Sequence, residues 1–142
     1  MGFMKKEDYT KYLSFFALVF VMICTYVINS HRSKMNEVAR LPFYNVDLSQ
    51  VEDGTYSGKT YTTFAHVQVE VTVENSRLVN IIATECEGAE VGKAAGVLQE
   101  MVLQNKIVVS AKKGQEIGTM VFISCVDCAL HGKDDVISEV RN

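Results

Sequence analysis

At 142 residues the chain has room for one domain of ordinary size once an anchoring or targeting segment is set aside. Its net charge of -3 is unevenly placed: residues 1 to 34 hold five Lys/Arg against two Asp/Glu, whereas residues 35 to 142 hold nine against fifteen. So acidic a domain is a poor partner for nucleic acid, and the three cysteines outside the apolar N-terminal run, an odd number, do not make a disulfide framework.

Tyr12 to Ile28, YLSFFALVFVMICTYVI, is a run of 17 residues without a charge, bounded by Lys11 before and His31-Arg32 after. The length is at the short end of what spans a bilayer as a helix, and Tyr12 and Tyr26 stand near its ends as interfacial aromatics. A transmembrane anchor over 12–29 is the reading. A cleaved signal peptide needs small residues at its exit, and Thr25-Tyr26-Val27-Ile28-Asn29 offers none in an A-x-A-like pattern. Bulky Met22 and Ile23 ahead of Cys24 argue against a lipoprotein. Charge counting leaves orientation tied, with Lys5, Lys6 and Lys11 on one side and Arg32, Lys34 and Arg40 on the other.

Residues 30–52 are weakly patterned and contain the single proline, Pro42, so they read as a linker with one helical turn around Leu48 to Val51 that lifts the domain off the membrane. The domain, 53–142, opens at Asp53-Gly54-Thr55-Tyr56-Ser57-Gly58, which predicts a short strand with a bend. Val67, Val69, Val71 and Val73 then alternate with Gln68, Glu70, Thr72 and Glu74, the period of a strand with one buried face. Asn75-Ser76 supplies a turn and Leu78 to Ala83 a return strand. A two-residue turn sets Glu74 opposite Arg77, Val73 opposite Leu78 and Val69 opposite Ile82, and it leaves Asn80 on the Val71 face, a sign of irregularity.

Lys93 to Gln104 carries Ala94, Leu98, Met101 and Val102 at helical spacing, with Asn105 as its stop. Lys106 to Val109 reads as β-like. Ser110 to Leu130, SAKKGQEIGTMVFISCVDCAL, is a basic turn followed by an apolar helix. Lys112 and Lys113 beside Gly114, ahead of a helix start with free N–H groups, suit an anion such as phosphate. The tail, Gly132 to Asn142, is charged and carries no usable signal. Strands first and helices after predict an α+β domain: an antiparallel sheet with a β-hairpin and two packed helices, preceded by one transmembrane helix.

Two segments carry a family resemblance. Asp53-Gly54-Thr55-Tyr56-Ser57-Gly58 resembles the opening Asp-Gly-Thr-Tyr-x-Gly of the FMN-binding domain family. The register from Ser110 through Leu130 is similar to that family's Asp-x-x-Ser-Gly-Ala-Thr motif and the helix that follows it, which contains Ala-Val-x-x-Ala-Leu; Cys125 to Leu130 fall on that helix end. The resemblance implies a membrane-anchored flavoprotein domain outside the cytoplasmic membrane, with residues 1–11 in the cytoplasm, serving electron transport beside membrane electron-transport subunits. It implies FMN at Lys112, Lys113, Gly114, Gln115, Glu116, Gly118 and Thr119. In the family the motif's last threonine is esterified by FMN through its phosphate; Glu116 stands at that position here, and a carboxylate cannot replace the hydroxyl. The implied cofactor is therefore FMN held without a covalent bond, and the alternative is a flavin-free domain acting as a binding or assembly module. At about 4 Å a Glu116 carboxylate costs a phosphate on the order of 4 kcal/mol per unit charge at an effective dielectric near 20, and Lys112 or Lys113 returns about as much. A register slipped by three residues puts Ile117-Gly118-Thr119 on Gly-Ala-Thr and makes Thr119 the acceptor.

Cys125-Val126-Asp127-Cys128 is a C-x-x-C well inside the helix rather than at its N-terminus, so it reads as buried structural cysteine, with thiol redox chemistry as the alternative. A zinc set of Cys86, Cys125, Cys128 and His131 can be written, but its spacing fits no common pattern. His66 and His31 have no nucleophile or carboxylate near them in sequence and read as surface polar residues.

Overall fold

The computed structural model describes residues 5–131, so the charged tail lies outside the described residues. The fold is α+β, with a three-stranded antiparallel sheet, helices and one N-terminal helix long and apolar enough to cross a membrane. The chain divides into two units, Met1–Met35 and Asn36–Asn142.

From Lys6 on, the first unit is helix. α1 (Lys6–Ala39) is 34 residues long, and its Phe15, Phe16, Leu18, Phe20, Met22 and Ile23 are all exposed. At 1.5 Å per residue the uncharged stretch alone is about 26 Å, near the hydrocarbon thickness of a bilayer. A signal sequence passes the same test of length and composition. The helix does not end with its apolar run. It continues through ten residues expected in the linker, because Ser30 to Ala39 contains no glycine or proline to stop it.

The second unit begins inside that expected linker, and residues 36–52 are part of the folded body instead of a free tether. Val38 is buried, and the Glu37 carboxylate accepts both the backbone N–H of Thr63 at 2.7 Å and its hydroxyl at 2.6 Å. The expected turn near Leu48 is a 3-10 helix (Leu48–Gln50), whose cap Asp47 accepts the Ser49 N–H; hydrogen bonding from the Ser49 side chain and then from its backbone holds the Asp47 carboxyl below its usual pKa.

The sheet orders β1 (Gly54–Tyr61), β2 (His66–Glu74) and β3 (Arg77–Glu87) consecutively. The four alternating valines of β2 are fully buried, as their period predicts. Asn75 and Ser76 both have positive φ, 52° and 60°, which makes the two-residue type I′ turn that matches sheet twist. Glu74 pairs with Arg77 and Val73 with Leu78, as expected, but Val69 faces Ala83 rather than Ile82. The reason is a pair of bulges in β3. One at Val79 moves Asn80 off the Val71 face and seats Ile81 there, leaving Ile82 outward and half exposed. A second, at Thr84, returns Glu85 and Glu87 to the outward face.

Helices cover the inward face. The helix expected over Lys93 to Gln104 is two, α2 (Ala89–Ala94) and α3 (Val97–Gln104), parted at Ala95-Gly96, the glycine being a poor helix former. Ala94, Leu98 and Met101 are buried as the stripe predicts, and Val102 is half-buried. Asn105 stops α3 in the left-handed region at φ 52°, and its Oδ1 accepts the Leu78 N–H at 2.8 Å, so the helix stop also marks the start of β3. Lys106 to Val109, expected to be β-like, instead bends at Ile107-Val108 and does not join the sheet, yet it keeps an alternation of burial: Ile107 and Val109 are buried and Val108 is exposed.

α4 (Glu116–Leu130) packs across β1, β2 and α2. Two glycines permit that approach. A Cβ on Gly58 would collide with the Cys125 carbonyl oxygen, and one on Gly118 with that of Glu90. The second glycine of the Asp-Gly-Thr-Tyr-Ser-Gly opening is thus a helix-to-sheet contact point rather than a bend.

Candidate functional site

The turn before α4 has the backbone its sequence suggests. Gly114 lies at φ +83°, a left-handed conformation, and the Gln115 N–H returns to the Lys112 carbonyl at 2.9 Å. Lys112, Lys113, Gly114 and Glu116 are exposed, Gln115 is half-buried, and Gly118 and Thr119 are buried. The seven residues therefore do not form one surface. Four sit in an open turn, while Gly118 is closed against α2 and Thr119 is 2% exposed.

The turn is also engaged from within. The Gly114 N–H donates to Glu116 Oε1 at 3.2 Å, so the Glu116 carboxylate sits on a backbone donor that a phosphate at this turn would use. The negative side chain also favours the helix N-terminus, where an anion would otherwise bind. Thr119, the acceptor of the slipped register, has its Oγ1 buried and without a hydrogen-bond partner among the described residues, closed to a transferring enzyme. Neither position fits covalent FMN.

The other end of α4 holds polar contacts that the helix's apolar pattern does not announce. Ser124 donates through Oγ to the Pro42 carbonyl at 2.8 Å, and fully buried Asp127 accepts the Tyr44 and Val46 N–H groups at 2.5 and 3.0 Å. The Tyr44 ring stacks on His131, centroids 3.8 Å apart and planes within 2°. Ser124, Asp127, Cys128 and His131 fall at i, i+3, i+4 and i+7, one face of a helix, and that face clasps residues 42–46. The legible signal is a polar i, i+3 pair within an apolar helix, since a buried aspartate needs donors.

The C-x-x-C is divided between two environments. Cys125 is fully buried and its thiol donates to the Gly58 carbonyl at 3.4 Å; burial pushes its pKa up to about 12. Cys128 faces the Pro42 carbonyl. Burial keeps Cys125 protonated, the reverse of an activated redox cysteine. Cys86 stands on β3 opposite Val67, exposed, its thiol raised by partial desolvation.

Clefts indent the folded unit away from the basic turn. One of about 430 Å³ lies among Tyr44, Asp47, Glu52, Tyr56, Leu130 and His131, and one of about 460 Å³ among Asp47, Ser49, Ser76, Asn105, Lys106 and Val108. Neither is lined by the turn residues 112–119. Comparison with protein-family models, with curated proteins and with solved structures finds no match.

Proposed function

We propose that the chain is a membrane-anchored α+β module of the FMN-binding-domain type that carries no esterified flavin and serves as a binding or assembly module at the membrane surface. The supporting observation is Glu116, which stands at the esterified threonine's position and accepts the Gly114 N–H at 3.2 Å. The charge-free run within α1 supports the anchor, and the resemblance to anchored family members assigns the domain to the outer side of the cytoplasmic membrane. The test is intact-protein mass spectrometry and a visible spectrum of the full chain, made in a host with the flavin-attaching enzyme. The expected result is no mass increment and no flavin colour. A flavin increment abolished by Thr119→Ala would overturn the reading.

Lys112, Lys113 and the open space around Gly114 favour a second reading: FMN bound reversibly at this turn, passing electrons to membrane partners. Bound flavin supplies the electron chemistry, and this chain's contribution is two ammonium groups and backbone N–H donors for the phosphate. Reversible binding then requires Glu116 to release the Gly114 N–H. Glu116→Gln removes the like charge and should raise FMN affinity about tenfold or more, since 1.4 kcal/mol is a factor of ten and the repulsion is on the order of 4 kcal/mol. Titration of the wild type and Glu116→Gln to saturating FMN without a spectral change in either would end this second reading.

A further inference from the structure

The outward face of the sheet carries exposed Glu70, Glu74 and Ile82, and at one end that face gathers three side chains with metal-ligand chemistry. His66 opens β2 and pairs with Glu87 of β3; Glu85, two residues away on the same strand, shares their face. The imidazole and the two carboxylates each offer a ligand atom, all within 4.8 Å of one another, and His66 Nδ1 lies 3.8 Å from Glu87 Oε2. The Tyr61 ring stands edge-on to the imidazole at 5.0 Å, which limits how the ring turns.

This juxtaposition depends on the second bulge. Had the ladder run on regularly from Ala83, which faces inward opposite Val69, Glu85 and Glu87 would both point to the helices. The extra residue, Thr84, restores the outward phase, and its hydroxyl donates to the Gln68 carbonyl at 3.2 Å, fixing the bulge beside the cluster. The cost of the arrangement is two carboxylates held near each other on one strand. A divalent cation removes that repulsion and uses the histidine as well, whereas a His–Glu ion pair leaves Glu85 without a role.

We propose that His66, Glu85 and Glu87 form a binding site for a divalent transition-metal ion of zinc type, bridging β2 and β3 on the open face of the sheet. The donor set is one imidazole nitrogen and two carboxylate oxygens, which suits zinc and its neighbours and leaves at least one position to water. Zinc bonds of about 2.0–2.2 Å at tetrahedral angles separate ligand atoms by about 3.4 Å, so the 3.8 Å between His66 and Glu87 needs only a small closure, made by exposed side chains on a paired backbone.

The experiment is calorimetric titration of the full chain in detergent with zinc chloride, in a Cys24→Ser, Cys86→Ser background that removes the more accessible thiols. The expected result is saturable one-to-one binding. It should weaken more than about tenfold in His66→Ala and in Glu87→Gln, since losing a ligand costs at least as much as losing an outer-shell partner. Glu85→Gln should weaken it too, while Glu70→Gln, on the same face but nearer the middle of β2, should not. Cobalt substituted into the same variant should give a visible absorption band that His66→Ala abolishes. Unchanged far-ultraviolet dichroism certifies each variant as folded, which their exposure favours. No saturable binding, or binding that survives His66→Ala and Glu87→Gln, overturns the proposal, as does binding present only with Cys86 in place.

Discussion

The two ends of α4 differ in what their polar residues do. At the N-terminal turn, Lys112, Lys113 and Glu116 are exposed, and Glu116 hydrogen-bonds two residues back to Gly114. At the C-terminal half, Ser124 and Asp127 are buried and bond to residues more than 80 positions away. The N-terminal end resembles a ligand site in sequence but satisfies itself locally. The C-terminal end reads as plain core in sequence but ties the segment after α1 to the rest of the domain. A polar residue's reach, rather than its charge, separates the two.

Removing Asp127 should have the largest effect on that contrast. Asp127→Ala leaves the Tyr44 and Val46 N–H groups without their acceptor, at a cost of about 3 kcal/mol or more, and Asp127→Asn, which keeps one acceptor oxygen, should cost less. Denaturant unfolding of the full chain in detergent measures both; equal stability of Asp127→Ala and wild type would show that the clasp is idle. Gly58→Ala comes next. Its Cβ would press on the Cys125 carbonyl and the Ala129 side chain, where backbone cannot yield easily, and overpacking of this kind costs about 1–3 kcal/mol.

The third prediction uses pH. Cys125 has a folded pKa of about 12 against a reference value of 9.0, so above pH 9 the unfolded chain loses this proton while the folded one keeps it. The stability contribution is complete below pH 9 and is lost as pH rises from 9 towards about 12, with on the order of 1 kcal/mol gone at pH 10. Cys125→Ala should be less steeply destabilised over that window, and parallel stability curves for the two proteins would refute the assignment. The smallest effects belong to the basic turn. Lys112→Ala with Lys113→Ala should shift stability by no more than about 0.5 kcal/mol, the range of exposed charges away from packing. A loss comparable to that of Asp127→Ala would make the two ends of the helix equivalent.

Legibility in the sequence follows the same division. The valine alternation of β2, the hairpin turn, the apolar stripe and the Asn105 stop are local patterns, and each is present in the fold. Residues 42–46 are unreadable because they engage through backbone donors and acceptors, which any sequence possesses, aimed at side chains 80 positions on. The two bulges show only as a misfit: Asn80 on the Val71 face is the sign that the regular ladder fails. In the candidate turn, the left-handed Gly114 is legible from its residue type, whereas the burial of Gly118 and Thr119 is not, since it depends on how closely α2 crosses α4.

Those bulges have a consequence for how this chain can change length. β3 has 11 residues and β2 nine, and the surplus sits at Val79 and Thr84. Deleting either residue should straighten the ladder locally and keep every remaining side chain on its present face, while deleting Ile81 takes a core side chain with it. β3 thus contains two points of slack where one-residue deletions are absorbed, so homologous strands of nine, ten and eleven residues can share one set of facing residues.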